Sequence, residues 1–403
     1  MVGEGEVNSQ LGIFATHPIQ YQVPWFRALA AESWLDAQVY YAMLPDAVQQ
    51  GAGFGVEFEW DIPLCDGYSW QLLENRASKP SLDRFRGCNV SNIDKLLSAR
   101  RPHAALISGW NSFYLLQVLH ACRRLRIPTL VRGDSNILAP RGIIKRGLQR
   151  MLFSRFFVFL AVGQFNHQLY RRAGIPEKRI FFCPHFIENE RFSLQTQSLV
   201  RERFELRRRW SIPGDAVCFV FVGKLMHKKR IMDFLRAIDV ASQKDKCIFG
   251  LVVGAGEEKE MALSFVKSRR LPVTFAGFLN QSEIVKAYVA SDCLVLPSDY
   301  NETWGLVVNE AMACGIPAIV SDEVGCGPDL VKCGVTGGVF PCGNVSALSR
   351  TINDFASNGQ RLESMGKTAQ RRVSSEFSLE RATAGIKQAL RYVLENYFPV
   401  GTL

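Results

Sequence analysis

The sequence SDYNETWGLVVNEAMACGIP, residues 298–317, follows a short apolar run, CLVLP at residues 293–297. The apolar run predicts a buried strand, and the polar residues after it predict a loop at the carboxyl end of that strand. Gly305 precedes an apolar helical stretch, and Gly315 with Pro317 supplies residues that typically end a helix. A strand, a loop and a helix in this order form one βα unit of a parallel sheet.

The same alternation of apolar runs with amphipathic stretches extends along the chain in both directions. Ten such runs predict buried strands: residues 11–15, 101–109, 127–132, 156–162, 178–184, 216–222, 247–253, 273–276, 293–297 and 318–321. Strands that alternate with helices indicate parallel βαβ units, and therefore an α/β fold. A polar, arginine-rich stretch at residues 193–210 is typical of a linker between two such halves.

The chain is therefore expected to form two Rossmann-like, doubly wound domains. We place the N-terminal domain at residues 1–195 and the C-terminal domain at residues 196–378. Residues 379–403 contain one amphipathic helix, at 379–397, which we expect to cross back to the N-terminal domain. Ligands bind outside the carboxyl ends of the strands in such folds. Two domains facing a central cleft would therefore place the site on the loops that follow strands.

Two carboxylates stand on residues 298–317. Glu302 is at the predicted helix start, where backbone N–H groups favour an anion, and Glu310 lies about two turns further along. Carboxylates accept hydrogen bonds from hydroxyl groups, which suits a sugar and a ribose. Phosphates would instead bind backbone N–H groups at the helix start, at Thr303, Trp304, Gly305 and Leu306. A helix cap and a solvent-exposed glutamate would explain the same two carboxylates without any ligand.

A basic loop follows the predicted strand at residues 216–222. Next to Gly223 it carries four fixed positive charges: Lys224, Lys228, Lys229 and Arg230. This charge at the carboxyl end of a strand favours a diphosphate ligand, although a solvated basic loop is the plainer explanation. Gly254 and Gly256 follow the next strand, but GxG without a third glycine is a weak nucleotide fingerprint. The missing GxGxxG disfavours a nicotinamide dehydrogenase.

The two glutamates with the glycine between them resemble the E-x7-E signature of family 4 glycosyltransferases, which are retaining enzymes of the GT-B fold. Four further segments resemble that family's motifs in the same order: FVGKLMHKKR at 221–230, VVGAGEE at 252–258, VGCGPDLV at 324–331 and GVTGGVF at 334–340. The resemblance covers most of residues 216–345. In the N-terminal half it is mainly confined to residues 174–192.

The resemblance implies a role for each donor-side residue. Glu310 would hold the ribose hydroxyls, and Glu302 would hold the donor sugar. Lys224 and Lys229 would bind the pyrophosphate. Lys224 stands where the family usually has arginine, so it keeps the charge and loses the bidentate fork. The remaining donor-binding candidates lie on loops after strands, and the last of them is near the base pocket: Gly223, Gly254 and Phe278.

The acceptor side is expected on the N-terminal domain. GT-B enzymes usually have a glycine-bearing loop after the first strand, and THPIQYQ at residues 16–22 has none. Polar or aromatic residues at strand ends are the candidates for the acceptor: His17, Gln20, Trp110 and Asn111. Many relatives have a His-Asp pair where this chain has RGDS at residues 132–135, so we assign Asp134 only a polar contact to the reacting sugar. Loop polarity and a buried tryptophan are the competing explanations.

Composition limits the class of protein and its partners. The chain has 403 residues, of which 47% are hydrophobic, so it is globular and large enough for two domains. A net charge of +10 favours anionic partners, which could be nucleic acid, an anionic membrane or phosphorylated small molecules. We favour a nucleotide sugar and expect no nucleic acid. No acidic pair is placed to hold a metal ion, so we expect no metal cofactor.

Cysteine usage and the chain's first residues indicate a cytoplasmic protein. The 11 cysteines are scattered without zinc spacing, which is typical of small buried hydrophobic residues in a reducing compartment. Residues 1–10 contain acids and no basic stretch, so we expect no signal peptide. No apolar run is long enough for a membrane span.

Residues 141–155 form a basic amphipathic helix candidate. No acidic residue occurs between Asp134 and Glu177, and basic residues alternate here with apolar ones such as Ile143 and Leu148. Such a helix can lie on an anionic bilayer, which would give access to a lipid-linked acceptor. It can equally bury its apolar side in the N-terminal domain.

The residues and the resemblance together predict a retaining glycosyltransferase. It would move a sugar from a nucleotide-diphosphate sugar to a saccharide or lipid-linked saccharide, in the synthesis of a surface polysaccharide or glycoconjugate. Two alternatives remain. One is a GT-B nucleotide-sugar epimerase or phosphorylase. The other is a non-catalytic protein that binds a nucleotide or another polyanion.

Overall fold

The computed structural model of the chain describes residues 9–244 and 247–397. The expectation that no signal peptide is present concerns residues 1–10, most of which lie outside this part. The chain divides into two compact units. The first lies within Met1–Gln49, Pro63–Pro184 and Leu379–Leu403, and the second comprises Gln50–Ile62 and His185–Ser378.

The first unit contains a seven-stranded parallel sheet. Its strands are β1 (Ser9–Ala15), β2 (Leu35–Tyr41), β3 (Trp70–Leu72), β4 (Ala104–Ile107), β5 (Thr129–Arg132), β6 (Val158–Ala161) and β7 (Ile180–Phe182). Their order in the sheet is β3-β2-β1-β4-β5-β6-β7. The helices are α1 (Val23–Ala30), α2 (Ala47–Gln50, which ends in the second unit), α3 (Ile93–Arg100), α4 (Phe113–Arg124), α5 (Ile143–Phe153) and α6 (Gln164–Arg172). A 3-10 helix spans Glu177–Arg179.

The core of the first unit is built on both faces of its sheet. Every residue of β4, β5 and β6 is buried, as expected for parallel strands covered by helices on each side. The C-terminal helix α16 (Leu379–Tyr397) packs against α1, β6 and β7. Gly385 allows this contact, because a Cβ at that position would lie 2.1 Å from the Phe182 carbonyl oxygen.

The second unit contains a six-stranded parallel sheet. Its strands are β8 (Val217–Val222), β9 (Ile248–Val253), β10 (Val273–Gly277), β11 (Cys293–Leu296), β12 (Ala318–Ser321) and β13 (Gly337–Phe340). Their order is β10-β9-β8-β11-β12-β13, the doubly wound order of a Rossmann fold. The helices are α7 (Asn189–Leu199), α8 (Arg203–Arg209), α9 (Ile231–Ser242), α10 (Lys259–Arg269), α11 (Ile284–Ala290), α12 (Leu306–Ala313), α13 (Gly327–Leu330), α14 (Val345–Ala356) and α15 (Gly359–Glu376). Two 3-10 helices span Val200–Glu202 and His227–Lys229.

The predicted linker at residues 193–210 is wrong. This stretch is α7, a 3-10 helix and α8, and it packs on the second unit. Arg203 and Arg207 both form ion pairs with Asp292, at 2.7 and 3.3 Å. The arginines that suggested a solvated linker are therefore structural. The boundary between the two units accordingly lies after Pro184, whereas the sequence predicted it after residue 195.

The cysteines fit the prediction of small buried residues in most cases. All eleven are free thiols, and seven of them are buried. Cys218 and Cys293 lie inside strands β8 and β11, where burial raises the pKa of each thiol. Cys247 and Cys333 are exposed, so the prediction does not hold for these two.

Candidate functional site

The second unit has its topological switch point between β8 and β11. The sheet order places these strands side by side, with β9 and β10 beyond β8 and with β12 and β13 beyond β11. Ligands of doubly wound sheets bind outside the carboxyl ends of the strands at such a point. The basic loop follows β8 and the loop of Glu302 follows β11, so both predicted segments lie at this edge.

Lys229 and Glu302 form an ion pair at the switch point. Lys229 ends the 3-10 helix after β8, and its Nζ contacts Glu302 Oε2. The two side chains are only 13% and 12% exposed. Burial would raise the pKa of Glu302, but the charge and hydrogen bond of Lys229 outweigh it, so the pKa is lowered. The Glu302 carboxylate is therefore ionised at neutral pH, and the pair is partly shielded from solvent.

The loop that carries Glu302 is held in place by glycine and by backbone hydrogen bonds. Gly305 has a φ of +101°, and a Cβ there would lie 2.8 Å from Leu296 Cδ2. The backbone N–H of Gly325 donates to the Glu302 carbonyl oxygen at 3.0 Å. Helix α12 then begins at Leu306, and Gly315 follows its end with a φ of +78°. The predicted start and end of this helix are confirmed.

Trp304 contributes its indole to packing. The residue is 4% exposed, and its Nε1 donates to Asn309 Oδ1 at 2.9 Å. Its ring also lies 5.2 Å from the ring of His185. The indole is therefore engaged in packing, and phosphate binding by the backbone N–H groups of this segment stays a prediction.

Glu310 is buried in α12 and is held by two residues that the sequence did not point to. It is 1% exposed, which excludes the solvent-exposed alternative. The Tyr288 hydroxyl donates to Glu310 Oε2 at 2.7 Å, and Gln281 Nε2 donates to Oε1 at 3.4 Å. Arg191 donates in turn to Gln281 Oε1 at 2.8 Å. These partners fix the direction of the carboxylate.

Lys224 and Phe278 both contact residues 50–62, which we call the 50–62 segment. The Nζ of Lys224 donates to the Ala52 carbonyl oxygen at 2.5 Å. The ring of Phe278, directly after β10, lies 4.3 Å from the ring of Phe58. The sequence did not predict that this segment joins the second unit.

One of the predicted donor-binding glycines, Gly254, has a packing reason. Gly223 and Gly254 follow the adjacent strands β8 and β9, with φ values of +153° and +138°. A Cβ on Gly254 would lie 1.9 Å from the Gly223 carbonyl oxygen. Close approach of the two strand ends therefore requires glycine at 254, whether or not a ligand binds there.

The acceptor candidates of the first unit share one sheet edge. Strands β1, β4 and β5 are neighbours, and the residues that follow their carboxyl ends are His17 and Gln20, Trp110 and Asn111, and Asp134. His17 Nδ1 lies 2.9 Å from Thr16 Oγ1. Burial lowers the pKa of His17 to about 4, so the imidazole is neutral at neutral pH.

The acceptor candidates differ in exposure. Asn111 and Asp134 are exposed, and Gln20 is half-buried. The Trp110 ring packs against Phe153, with ring centroids 5.0 Å apart. It also lies against Gly133, where a Cβ would come within 2.7 Å of the indole. Trp110 therefore has a packing role, and its stacking on a sugar stays a prediction.

Helix α5 exposes its apolar side chains. Ile143 and Ile144 are each 80% exposed, Leu148 is 57% exposed and Met151 is 51% exposed, while only Phe153 is buried. Beside the helix is a cleft of about 650 Å³, whose lining includes four arginines: Arg141, Arg146, Arg150 and Arg172. Helix α5 therefore buries only part of its apolar side in the first unit, through Phe153 and the partly buried Leu152.

Two properties of the described residues concern metal ions and membranes. Within 9–244 and 247–397, no group of three His, Cys, Asp or Glu side chains is placed to hold a metal ion. No helix in the same ranges has the length and hydropathy to cross a bilayer.

The sequence of the second unit matches a known protein family. The match is to the family described as glycosyl transferases group 1, and it spans residues 202–372. Residues 202–372 are similar to group 1 glycosyl transferases. They include Lys229, Glu302 and Glu310, together with β8, β11 and α12. The matched segment is less than half of the chain.

Two individual proteins to which the chain is similar are also named glycosyltransferases. The chain is 32% identical over 138 residues to an uncharacterized glycosyltransferase of Methanocaldococcus jannaschii, covering 34% of this chain and 35% of that protein. It is 29% identical over 301 residues to the D-inositol 3-phosphate glycosyltransferase of Streptomyces coelicolor, covering 70% and 65%. The chain thus spans less than two thirds of the length of each relative.

Solved structures show the same fold over nearly the whole chain. A crystal structure of Anabaena HepE in complex with UDP aligns with a TM-score of 0.72 at 17% identity, covering 95% of this chain and 99% of that one. Two Rossmann-like units and this likeness confirm the predicted GT-B, α/β fold.

Proposed function

We propose that the chain is a retaining glycosyltransferase. It moves a sugar from a nucleotide-diphosphate sugar to a saccharide or lipid-linked saccharide acceptor, in the synthesis of a surface polysaccharide or glycoconjugate. The observation that carries this proposal is the shielded Lys229–Glu302 ion pair at the switch point of a unit similar to group 1 glycosyl transferases.

The ion pair suits a sugar diphosphate. An ammonium group has three N–H donors, so Lys229 can keep its contact with Glu302 and still donate to a phosphate oxygen. An ionised carboxylate has several acceptor positions, so Glu302 can also accept from hydroxyl groups of the donor sugar. Shielding from solvent strengthens both interactions. The helix start at residues 303–306 adds backbone donors for the phosphates.

Glu310 is assigned to the ribose hydroxyls. Its carboxylate is fixed by Tyr288 and Gln281, and a fixed acceptor loses little entropy when a ligand hydroxyl binds. The diphosphate is assigned to Lys224 and Lys229, and the base to the surroundings of Phe278. The UDP in the Anabaena HepE crystal structure supports a nucleotide at this kind of fold.

The reaction is a substitution at the anomeric carbon. The bond from this carbon to the diphosphate oxygen breaks through an oxocarbenium-like state, and its electron pair leaves with the diphosphate. Lys224, Lys229 and the helix-start N–H groups stabilise the growing negative charge. The acceptor hydroxyl attacks from the same face and passes its proton to the departing phosphate. The donor configuration is therefore retained, and no step requires a metal ion.

The acceptor is assigned to the strand ends of the first unit. His17 is neutral at neutral pH, so it would bind by hydrogen bonding and would not carry a charge. Asn111 and Asp134 are exposed at the same edge and can bind sugar hydroxyls. Asp134 is assigned the polar contact to the reacting sugar.

Association with an anionic membrane is part of the proposal. Helix α5 has exposed apolar residues next to Lys145, Arg146 and Arg150, a combination that suits the interface of an anionic bilayer. Apolar side chains at 80% exposure are costly in water, and insertion into the interface would remove that cost. The acceptor would then be lipid-linked.

A panel of nucleotide sugars tests the proposed function. Binding to the native state raises the melting temperature, so one or more nucleotide sugars should raise it, and nucleoside diphosphate should be released once an acceptor is added. Conversion of the donor without an acceptor would favour an epimerase. Binding of nucleic acid that falls steeply with salt, without any response to nucleotide sugars, would favour a polyanion-binding protein.

A further inference from the structure

The 50–62 segment is anchored to the second unit by polar contacts at one end. Asn280 Nδ2 donates to the Glu59 carbonyl oxygen at 2.7 Å. The Ser282 backbone N–H donates to Asp61 Oδ2 at 3.1 Å, and its hydroxyl donates to the same oxygen. The Trp60 N–H donates to Gln50 Oε1 at 3.0 Å, which closes the segment on itself. The segment is therefore a folded loop with a defined docking place.

An aromatic cluster joins the middle of the segment to the loop after β10. The rings of Phe54 and Phe58 lie 5.0 and 4.3 Å from the ring of Phe278, and Trp60 lies 4.9 Å from Phe58. All four residues are half-buried. Ring contacts at these separations are favourable beyond the area that they bury. The cluster therefore fixes Phe54 at the carboxyl edge of the sheet.

The side chain of Lys224 ends against the 50–62 segment. Besides its hydrogen bond to Ala52, its Nζ lies 4.8 Å from the centroid of the Phe54 ring, a cation–π distance. Gly53 has a φ of +81°, and a Cβ there would come within 3.1 Å of the Lys224 Cδ and Nζ atoms. The loop thus bends closely around the ammonium group, and a side chain at residue 53 would push it away.

We propose that the 50–62 segment positions Lys224 for the donor diphosphate, with Phe54 as the main positioning residue. A lysine has a flexible stem and a point charge, so it gains more than an arginine from being held. The three donors of an ammonium group make the bond to Ala52 compatible with bonds to phosphate oxygens. This inference rests on the proposed function, because it assigns a second group of residues to the same donor site.

The test is a double-mutant cycle with UDP, GDP and ADP as probes, measured by titration calorimetry. Phe54→Leu keeps an apolar side chain and removes the ring face. It should weaken binding of the preferred nucleotide about threefold to tenfold, the usual range for a cation–π contact. In a Lys224→Met background the same change should have no further effect. Phe54→Tyr keeps the ring, so this variant should bind the nucleotide with wild-type affinity.

Val56→Ala is the matched control, because Val56 is 39% exposed on the same segment. It should leave binding unchanged. Thermal melting of each variant shows that it is folded. If Phe54→Leu weakens nucleotide binding equally in the wild-type and the Lys224→Met backgrounds, the inference is overturned. Phe54 would then have only a structural role. Tighter binding by Phe54→Leu would overturn it as well, because the segment would then compete with the donor for Lys224.

The outcomes that would contradict the proposed function differ from those that would contradict this inference. If neither Lys224→Met nor Lys229→Met weakens binding of the preferred nucleotide, or if wild type binds none of the three, the donor site itself is wrong. If those variants weaken binding while Phe54→Leu does not, the donor site stands and only the positioning role of the 50–62 segment is overturned.

Discussion

Lys229 and Glu302 are 73 residues apart in sequence and form an ion pair whose side chains are 13% and 12% exposed. The contact exists because β8 and β11 are neighbours in the second sheet. A further backbone hydrogen bond, from Asp299 N–H to the Lys228 carbonyl oxygen at 2.9 Å, holds the two loops together. The donor side of the proposed reaction depends on this pair.

Lys229→Met should reduce turnover more than donor binding, because negative charge on the leaving diphosphate grows in the transition state. We expect kcat to fall by about 100-fold and the donor Kd to rise by less than about tenfold. Lys228→Met removes the same charge one residue away and is the matched control. Equal losses for the two variants would show that only the overall charge of the loop matters.

Lys229→Met should also change how stability depends on pH. In wild type the pKa of Glu302 is lower in the folded protein than in the unfolded chain. Its contribution to the free energy of unfolding is therefore present above its pKa in the unfolded chain. That contribution is lost as the pH falls through its pKa in the folded protein. Burial is the largest single influence on that pKa and raises it, while Lys228 and Ser298 each lower it by less. Loss of Lys229 should therefore raise the pKa and make the ionised carboxylate destabilising. Leaving a buried charge unpaired typically costs about 3–5 kcal/mol.

The variant should therefore be destabilised more at pH 7 than near pH 4, where a protonated Glu302 needs no partner. Denaturant unfolding of wild type and variant at the two pH values measures this difference. A destabilisation that does not change with pH would show that the pair contributes nothing through the charge of Glu302.

Glu310→Gln should weaken binding of the nucleotide while preserving the fold. Glutamine has the same size. Its amide oxygen can accept from Gln281 Nε2 while its amide nitrogen donates to the Tyr288 hydroxyl oxygen, so the melting temperature should change little. Hydrogen bonds to a charged group are worth about 1.5–3 kcal/mol and those to a neutral group about 0.5–1.5 kcal/mol, so loss of the charge should reduce affinity about fivefold to tenfold. Calorimetry with the preferred nucleoside diphosphate measures it, and Glu363→Gln, at an exposed site on α15, is the control. Unchanged affinity would remove Glu310 from the ribose site.

Membrane binding through α5 should require anionic lipid and fall with salt. Each basic residue near such a surface contributes about 1 kcal/mol, so the triple change of Lys145, Arg146 and Arg150 to Glu should abolish co-sedimentation with phosphatidylglycerol vesicles. The control is the same charge reversal at Arg208, Lys367 and Arg371, which are exposed on the second unit. If wild type stays in the supernatant at low salt, the membrane proposal is wrong and a soluble acceptor replaces it.

Turnover should be independent of divalent metal ions, because lysines and backbone N–H groups are assigned to the leaving diphosphate. Activity in EDTA should equal activity in buffer with added magnesium or manganese. An increase of about tenfold or more on adding either ion would assign part of that charge stabilisation to a metal.

Local sequence signals predicted the βα unit around β11 and the position of Glu302 on the loop that follows this strand. The apolar run of β11 and the glycines on either side of α12 were sufficient for that element. The contact between Lys229 and Glu302 was not predictable from spacing, because it depends on the order of strands in the sheet. Tyr288 and Gln281, which hold Glu310, were missed for the same reason.

The other errors of the sequence analysis each have a separate physical cause. Three strands were not predicted: β2 has polar residues at alternate positions, β3 has only three residues, and β13 begins with two glycines. The arginines of α8 suggested a linker, because their partner Asp292 lies more than 80 residues away. The sequence GAGFGVEFEWD gives the 50–62 segment aromatic residues in a glycine-rich setting, which was the only available signal of its docking.

The most direct test of the central claim is the fate of a nucleotide sugar during turnover. Wild type is incubated with UDP-, GDP- and ADP-sugars and with alkyl glycosides as acceptors, and the products are followed by proton NMR. The account predicts release of a nucleoside diphosphate together with a glycoside that keeps the anomeric configuration of the donor, with a rate about 100-fold lower in Lys229→Met. A product of inverted configuration, conversion of the donor without release of nucleotide, or no reaction with any donor and acceptor of the panel would contradict it.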